Sequence, residues 1–231
     1  MITWIASYPR SGNTLLRVIL SYGFGLPCPP RYPRQAHVPP PRRAAPPLRL
    51  AGENRPRGLE AMQASPDTWY VKSHELPSDD RPALYLVRDG RDALVSYAHF
   101  ILETADPSGR GRSLAEVLTQ LVLRDRYFGG WGPHVDAWSG RRAPTALLKF
   151  EQLVTAPDPR PLVADALAKI GVSDPGPGDG EIPDFAALQR AQPRNFRRGQ
   201  IGAWRREMPT SLAWAFWKRH GPVMERMGYE R

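Results

Sequence analysis

The sequence predicts an α/β fold, a parallel sheet flanked by helices, on three observations. Short apolar runs alternate with segments of helical periodicity along the chain. Some runs, such as Ala83 to Val87, are apolar throughout, as strands covered on both faces are. The first run breaks into a tight loop and then a helical stripe, a strand–loop–helix unit. With 231 residues and 41% hydrophobic content the chain can bury one sizeable core, so a single domain over 1–231 is expected.

The first unit runs from Thr3 to Arg17. Ile2 to Ala6 reads as a buried strand, Pro9 and Ser11-Gly12 break it, and Leu15, Leu16, Ile19 and Leu20 recur at helical spacing. This order aims backbone N–H groups and the positive helix end at one spot, which suits a phosphate. Laid over the Walker A pattern G-x-x-x-x-G-K-[ST], Gly12 and Thr14 match, Ser7 replaces the first glycine and Asn13 replaces the lysine. The loop's cation is Arg10 instead. Such a site holds a phosphate without the lysine used for a triphosphate tail. It suits a nucleotide lacking a γ-phosphate and chemistry without the usual Mg²⁺. The plain alternative is an ordinary strand–turn–helix.

Tyr8-Pro9-Arg10-Ser11-Gly12-Asn13-Thr14 resembles the 5′-phosphosulfate loop of the sulfotransferases that use PAPS (3′-phosphoadenosine 5′-phosphosulfate). Members often carry Lys where this chain has Arg10. They also often carry Trp, stacked on adenine, where it has Leu15. The resemblance implies cofactor contacts from Arg10, Ser11, Gly12, Asn13, Thr14 and Leu15, with another aromatic stacking on adenine or weaker binding.

The formal charge of +9, from 32 Lys+Arg against 23 Asp+Glu, concentrates anionic ligands and by itself equally allows nucleic acid or anionic membranes. Cys28 is the only cysteine, which excludes an internal disulfide and a thiolate-rich metal site, so no metal is expected. The first strand begins at residue 2 and no run of about 18 apolar residues occurs, so a cytoplasmic protein without a membrane span is expected.

Ten of the 26 prolines fall between Pro27 and Pro56, mixed with arginines. Proline locks φ and removes donors, so an extended, partly mobile segment is expected over about 27–60, read either as an acceptor-site lid or as a solvated connector. Order returns at Thr68 to His74. Lys72 and His74 share a face if that strand persists to its end, where α/β proteins build their sites. Lys72-Ser73-His74 resembles the family's Lys-Thr-His segment, whose histidine is the catalytic base.

Ala83 to Val87 reads as the next strand, followed by helical periodicity through Leu94, Val95, Ala98 and Ile101. Arg88 and Ser96, eight apart, can converge on one phosphate, and this segment resembles the family's 3′-phosphate motif. The alternative is a surface salt-bridge cluster of Arg88, Asp89 and Asp92. Asp89 also mimics the acid of a Walker B strand, which keeps a P-loop kinase open.

Ser113 to Trp138 reads as helical, opened by a Ser113–Glu116 capping box. Tyr127, Phe128, Trp131 and Trp138 line an acceptor pocket or pack the core, and His134 is a second candidate site histidine. Thr145 to Glu151 reads as another buried strand, similar to the family's strand ending in Tyr-Glu-Asp, with Phe150 for the tyrosine and Gln152 for the aspartate. A helix over about 161–170 and a Gly/Pro/Asp loop over 171–180 follow.

Arg197-Arg198-Gly199 makes a compact anion clamp, since glycine lets the backbone approach a phosphate. Asn195 to Arg206 resembles the family's Arg-Lys-Gly-x-x-Gly-Asp-Trp-Lys segment over the 3′-phosphate, with Arg198 where Lys is usual and Ala203 for Asp. Trp214, Phe216 and Trp217 lie in a helical stretch expected to pack on the sheet.

The resemblance implies a P-loop NTPase-like three-layer sandwich and a PAPS-dependent sulfotransferase that releases PAP. His74 would take the acceptor's proton. Arg10 would stabilise the leaving group, electrostatically because arginine cannot shuttle a proton, and Lys72 would assist. Arg88, Ser96, Arg197, Arg198 and Gly199 would hold the 3′-phosphate. The acceptor is a small molecule, glycan or lipid of unread identity, its choice residing in 36–62 and 102–140, and no nucleic-acid partner is expected. The other classes are a P-loop small-molecule kinase, which wants Lys at position 13, and a nucleic-acid-binding module.

Overall fold

The computed structural model describes residues 1–26, 28–29, 58–104, 111–124, 128–176, 178 and 180–231. The Pro/Arg-rich segment expected over about 27–60 lies mostly outside them, as does Tyr127.

Strand β1 (Ile2–Ser7) leads through a five-residue loop into helix α1 (Asn13–Phe24). A short helix α2 (Leu59–Ala64) precedes strand β2 (Trp69–Ser73), and β3 (Ala83–Val87) runs into α3 (Gly90–Glu103). Helices α4 (Leu114–Leu123) and α5 (Trp131–Ser139) lead to β4 (Thr145–Lys149), which turns directly into α6 (Phe150–Thr155). Helices α7 (Arg160–Lys169), α8 (Phe185–Ala191), α9 (Trp204–Glu207) and α10 (Thr210–Arg226) complete the chain.

The sheet order is β2-β1-β3-β4, and every neighbouring pair is parallel. All strand carboxyl ends therefore share one edge, and β1, between β2 and β3, marks the place where chain order changes direction. Alternation along the strands divides the apolar side chains between two faces. Trp4, Val71, Tyr85 and Val87 pack with α3, α4, α5 and α10. Ile5, Tyr70, Leu84 and Leu148 pack with α1 and α7. Three layers result, each central strand buried on both faces at roughly 1.5–3 kcal/mol for every large apolar side chain.

Three expectations need correction. The helical reading of Ser113 to Trp138 is two helices, because Phe128, Gly129 and Gly130 all have positive φ (53°, 78° and 80°), which no α-helix accommodates. The capping box of Ser113 and Glu116 does open α4. The C-terminal aromatic helix α10 packs on α3, α4 and α5 rather than on the sheet, leaving Trp214 54% exposed while Phe216 is buried. The strand expected to reach Glu151 ends at Lys149, and Phe150 opens α6.

Candidate active site

The β1–α1 loop presents an anion cradle. Arg10 and Gly12 are both left-handed, with φ of 66° and 98°, on either side of Ser11. Alternating hands of this kind turn successive N–H groups into a concavity. Helix α1 begins with no side-chain cap and no acidic residue in its first turn, so its positive end is left for a ligand. Only glycine fits at position 12, because a Cβ there would lie 2.4 Å from the Phe150 ring as well as requiring positive φ.

A cavity of about 280 Å³ opens over this loop at the carboxyl edge of the sheet. Of the residues singled out in the sequence as catalytic or cofactor-binding, all line it except Ser11, which is fully buried within the loop, and the candidate histidine His134. The guanidinium of Arg88 donates to the carbonyl of Arg10 at 3.1 Å and to that of Gln200 at 3.0 Å, tying the β1–α1 loop to the 197–200 loop. Phe150 supports Arg88 from below, its ring centroid 4.3 Å from the guanidinium carbon. Arg88 is 8% exposed and its Nε has no hydrogen-bond partner among the described residues.

Two side chains point elsewhere than the sequence implies. Asn13 Nδ2 donates to the Ile5 carbonyl at 3.0 Å and to Ser7 Oγ at 3.2 Å, so the side chain stitches α1 to β1. The guanidinium of Arg10 donates from Nε to Ser96 Oγ at 3.2 Å and from Nη2 to the Arg194 carbonyl at 2.8 Å. Arg10 thus spans from the phosphate loop to α3. Burial, then the charge of Arg88, lowers its pKa to about 10.

His74 follows β2 directly. Its Nδ1–H donates to the Ser7 carbonyl at 2.8 Å, which leaves the lone pair on Nε2. Burial and the charge of Lys72 push the imidazole down to about 3, so it is neutral at physiological pH. Lys72 is itself lowered to about 8 by burial, Arg17 and Arg10. Phe128, held in its left-handed turn, places its ring centroid 6.1 Å from that of His74.

His134 is fully buried in α5, away from the cavity. Its Nε2–H donates to the His74 carbonyl at 2.9 Å, and its Nδ1 accepts from the Tyr85 hydroxyl at 2.8 Å. Trp138, one turn on, donates to the Glu75 carbonyl at 2.9 Å. Helix α5 therefore fixes the backbone of the segment that carries His74. Trp131 and Trp138 belong to the core.

Asp89 is neither a free acid facing the phosphate loop nor part of a surface cluster with Arg88. It caps α3 through the Arg91 amide, and its carboxylate pairs with the Arg91 guanidinium. Asp92 accepts from the amides of Gly202 and Trp204, which docks the 199–204 loop on α3. Periodicity gives no sign of Phe185, whose ring lines this cavity and the neighbouring one and sits against Gly199. A lone Phe opening a short helix carries no local signal.

A family model described as the sulfotransferase domain matches residues 2–161. The chain belongs to the sulfotransferase family. Among curated sulfotransferases it is 29% identical over 168 residues to mouse (Mus musculus) sulfotransferase 1B1, covering 66% of this chain and 53% of that protein. Sulfotransferase 1B1 of the dog (Canis lupus familiaris) is 27% identical over 169 residues, covering 66% and 54%. The chain thus spans about half the length of the curated relatives it matches. Solved structures show the shared sulfotransferase fold. Mouse sulfotransferase SULT7A1 complexed with PAP superposes with TM-score 0.61 at 16% identity, over 96% of this chain and 83% of that one. A retinol dehydratase in complex with androsterone and the inactive cofactor PAP superposes with TM-score 0.53 at 14% identity, over 96% and 80%. The sheet flanked by two helical layers is accordingly the P-loop NTPase-like sandwich of sulfotransferases. Among the described residues no helix is long and apolar enough to cross a membrane.

Proposed function

We propose that this protein transfers a sulfuryl group from PAPS to a hydroxyl or amine acceptor, with His74 as general base. One observation carries the reading: an imidazole with its tautomer set by the Ser7 carbonyl lines the same cavity as a left-handed phosphate loop and the side chains of Arg10, Arg88, Arg197, Arg198 and Lys72. The residues fit a nucleotide with two separated phosphate groups. The cradle at Gly12 has no room for a Cβ, the α1 terminus is uncapped, and Arg88, which lines the cavity, has a buried Nε with no partner among the described residues.

PAPS supplies the sulfuryl group and leaves as PAP. The amides around Gly12 and Thr14 would hold its 5′ end, while Arg88, Ser96, Arg197, Arg198 and Gly199 would hold the 3′-phosphate. Leu15 and Phe185 would flank the adenine, which answers the missing tryptophan at position 15. His74 Nε2 accepts the acceptor's proton; an anion brought alongside favours the imidazolium and so strengthens the base. Lys72, the cation whose charge His74 feels most, stabilises negative charge at the transferring group, a share that Arg10 takes only if its guanidinium swings from Ser96. Tyr97, Phe100 and Phe128 would wall the acceptor side.

The decisive experiment pairs calorimetry of PAP, AMP and ATP binding with transfer of labelled sulfate from PAPS to a panel of alcohols, phenols and amines. Preference for PAP, with transfer that His74→Ala abolishes, is expected. Phosphoryl transfer from ATP with Mg²⁺ and none from PAPS would replace this reading with a kinase.

A further inference from the structure

Behind the two clamp arginines lies a carboxylate that no sequence motif marks. Glu207, the last residue of α9, is not among the residues lining the cavity. Its Oε1 accepts from Arg197 Nη2 and Arg198 Nη1, each at 3.2 Å, and its Oε2 accepts from Arg197 Nη1 at 3.3 Å. The third partner is His99 Nε2 on α3. Burial works against the charge, but hydrogen bonds from Arg197 and His99 hold the carboxyl below its ordinary range, so it is ionised.

One stripe of α3 organises this corner. Asp92, Ser96 and His99 recur at helical spacing and share a face. Asp92 fixes the start of α9 through the Gly202 and Trp204 amides, Ser96 takes Arg10, and His99 takes Glu207 at the end of α9. Arg10, Arg88 and Arg197 crowd together closely enough to lower the Arg10 pKa, after burial, by mutual repulsion. Glu103 offsets part of this repulsion, and Glu207 adds a negative charge at the 197–198 pair itself.

Resting on the proposed PAPS chemistry, we propose that Glu207 is the positioning residue that makes the site select a 3′-phosphorylated adenosine nucleotide, by holding Arg197 and Arg198 as a preset pair. The two arginines are unequally tied. Arg197 shares both carboxylate oxygens and its side chain is 20% exposed, whereas Arg198 makes one contact and is 53% exposed. Contacts of 3.2–3.3 Å are longer than the 2.7–2.9 Å of a strong charged pair, so an incoming phosphate takes Arg198 at little cost while Arg197 stays anchored.

The test is calorimetric titration of PAP and AMP into wild type, Glu207→Gln and Glu207→Asp. Loss of a charged hydrogen-bond partner predicts that Glu207→Gln lowers PAP affinity roughly tenfold, with AMP affinity within about twofold of wild type. Glu207→Asp, charged but shorter, should keep most of the preference for PAP. Unchanged or tighter PAP binding by Glu207→Gln would make the carboxylate a bystander or a competitor, and equal losses for PAP and AMP would make it merely structural. If neither variant folds, Glu207 is structural and the inference falls. A wild type that does not prefer PAP to AMP overturns the PAPS reading and this inference with it, whereas a wild-type preference untouched by Glu207→Gln overturns the inference alone.

Discussion

His74 and His134 stand on neighbouring elements, both pushed below the ordinary histidine range by burial, to about 3 and about 4. Both also contact a backbone carbonyl. What separates them is the second nitrogen. In His134 it accepts from the Tyr85 hydroxyl in the core; in His74 it has no partner among the described residues, on a ring that borders the cavity. A depressed pKa marks burial in both. The unspent lone pair distinguishes a candidate base from a structural support.

The largest effect that would test this contrast is on turnover. His74→Ala is expected to cut sulfuryl transfer by about 10²–10⁴-fold, with PAP affinity nearly unchanged. Steady-state rates near wild type would erase the distinction. His134→Ala should act mainly on stability. It strands the buried Tyr85 hydroxyl and the His74 carbonyl and leaves a cavity, for about 2–4 kcal/mol by denaturant unfolding. If it instead matched His74→Ala in turnover at full stability, His134 would belong to the chemistry.

A pH profile sharpens the comparison further. On the proposed chemistry, activity needs neutral His74 and charged Lys72. His74, lowered to about 3, stays neutral far below pH 6.5, whereas Lys72, lowered to about 8, loses its charge as pH rises through that value. In kcat/KM for the free enzyme, an alkaline limb near pH 8 with no acid limb near 6.5 is expected, and Lys72→Arg should move the alkaline limb upward. A conventional acid limb at 6.5 would show that burial does not govern His74. The smallest effect concerns the two rings themselves. Lys72→Met should raise the His74 pKa and leave that of His134 in place, because the Lys72 charge acts on the former and is not among the causes of the latter's shift. Histidine resonances followed by NMR titration would report both.

The sequence made legible whatever a few adjacent residues settle. Ala83 to Val87 is a strand over the expected span, Ser113 and Glu116 cap their helix, and Arg88 and Ser96 border one cavity eight residues apart. The helix break at 128–130 had a local signal in Gly129-Gly130, a turn-marking pair, which the apolar residues on either side outweighed. Phe185, Glu207 and the support from His134 were missed for another reason. Each acts on a partner outside its own element, as His134 does on the carbonyl of His74, 60 positions earlier, and Glu207 on His99, 108 positions earlier.

By itself the sequence determined the alternation of strands and helices, the glycine that the β1–α1 loop cannot do without, and the cationic residue types around it. These follow from local sterics, hydrophobic period and charge. Only the tertiary structure decided which way those groups face. Asn13 turns into β1, Arg10 reaches α3, and one carboxylate at the end of α9 gathers two arginines and a histidine. Side-chain direction depends on which partners the packed layers bring within hydrogen-bond reach, and no window of neighbouring residues contains that information.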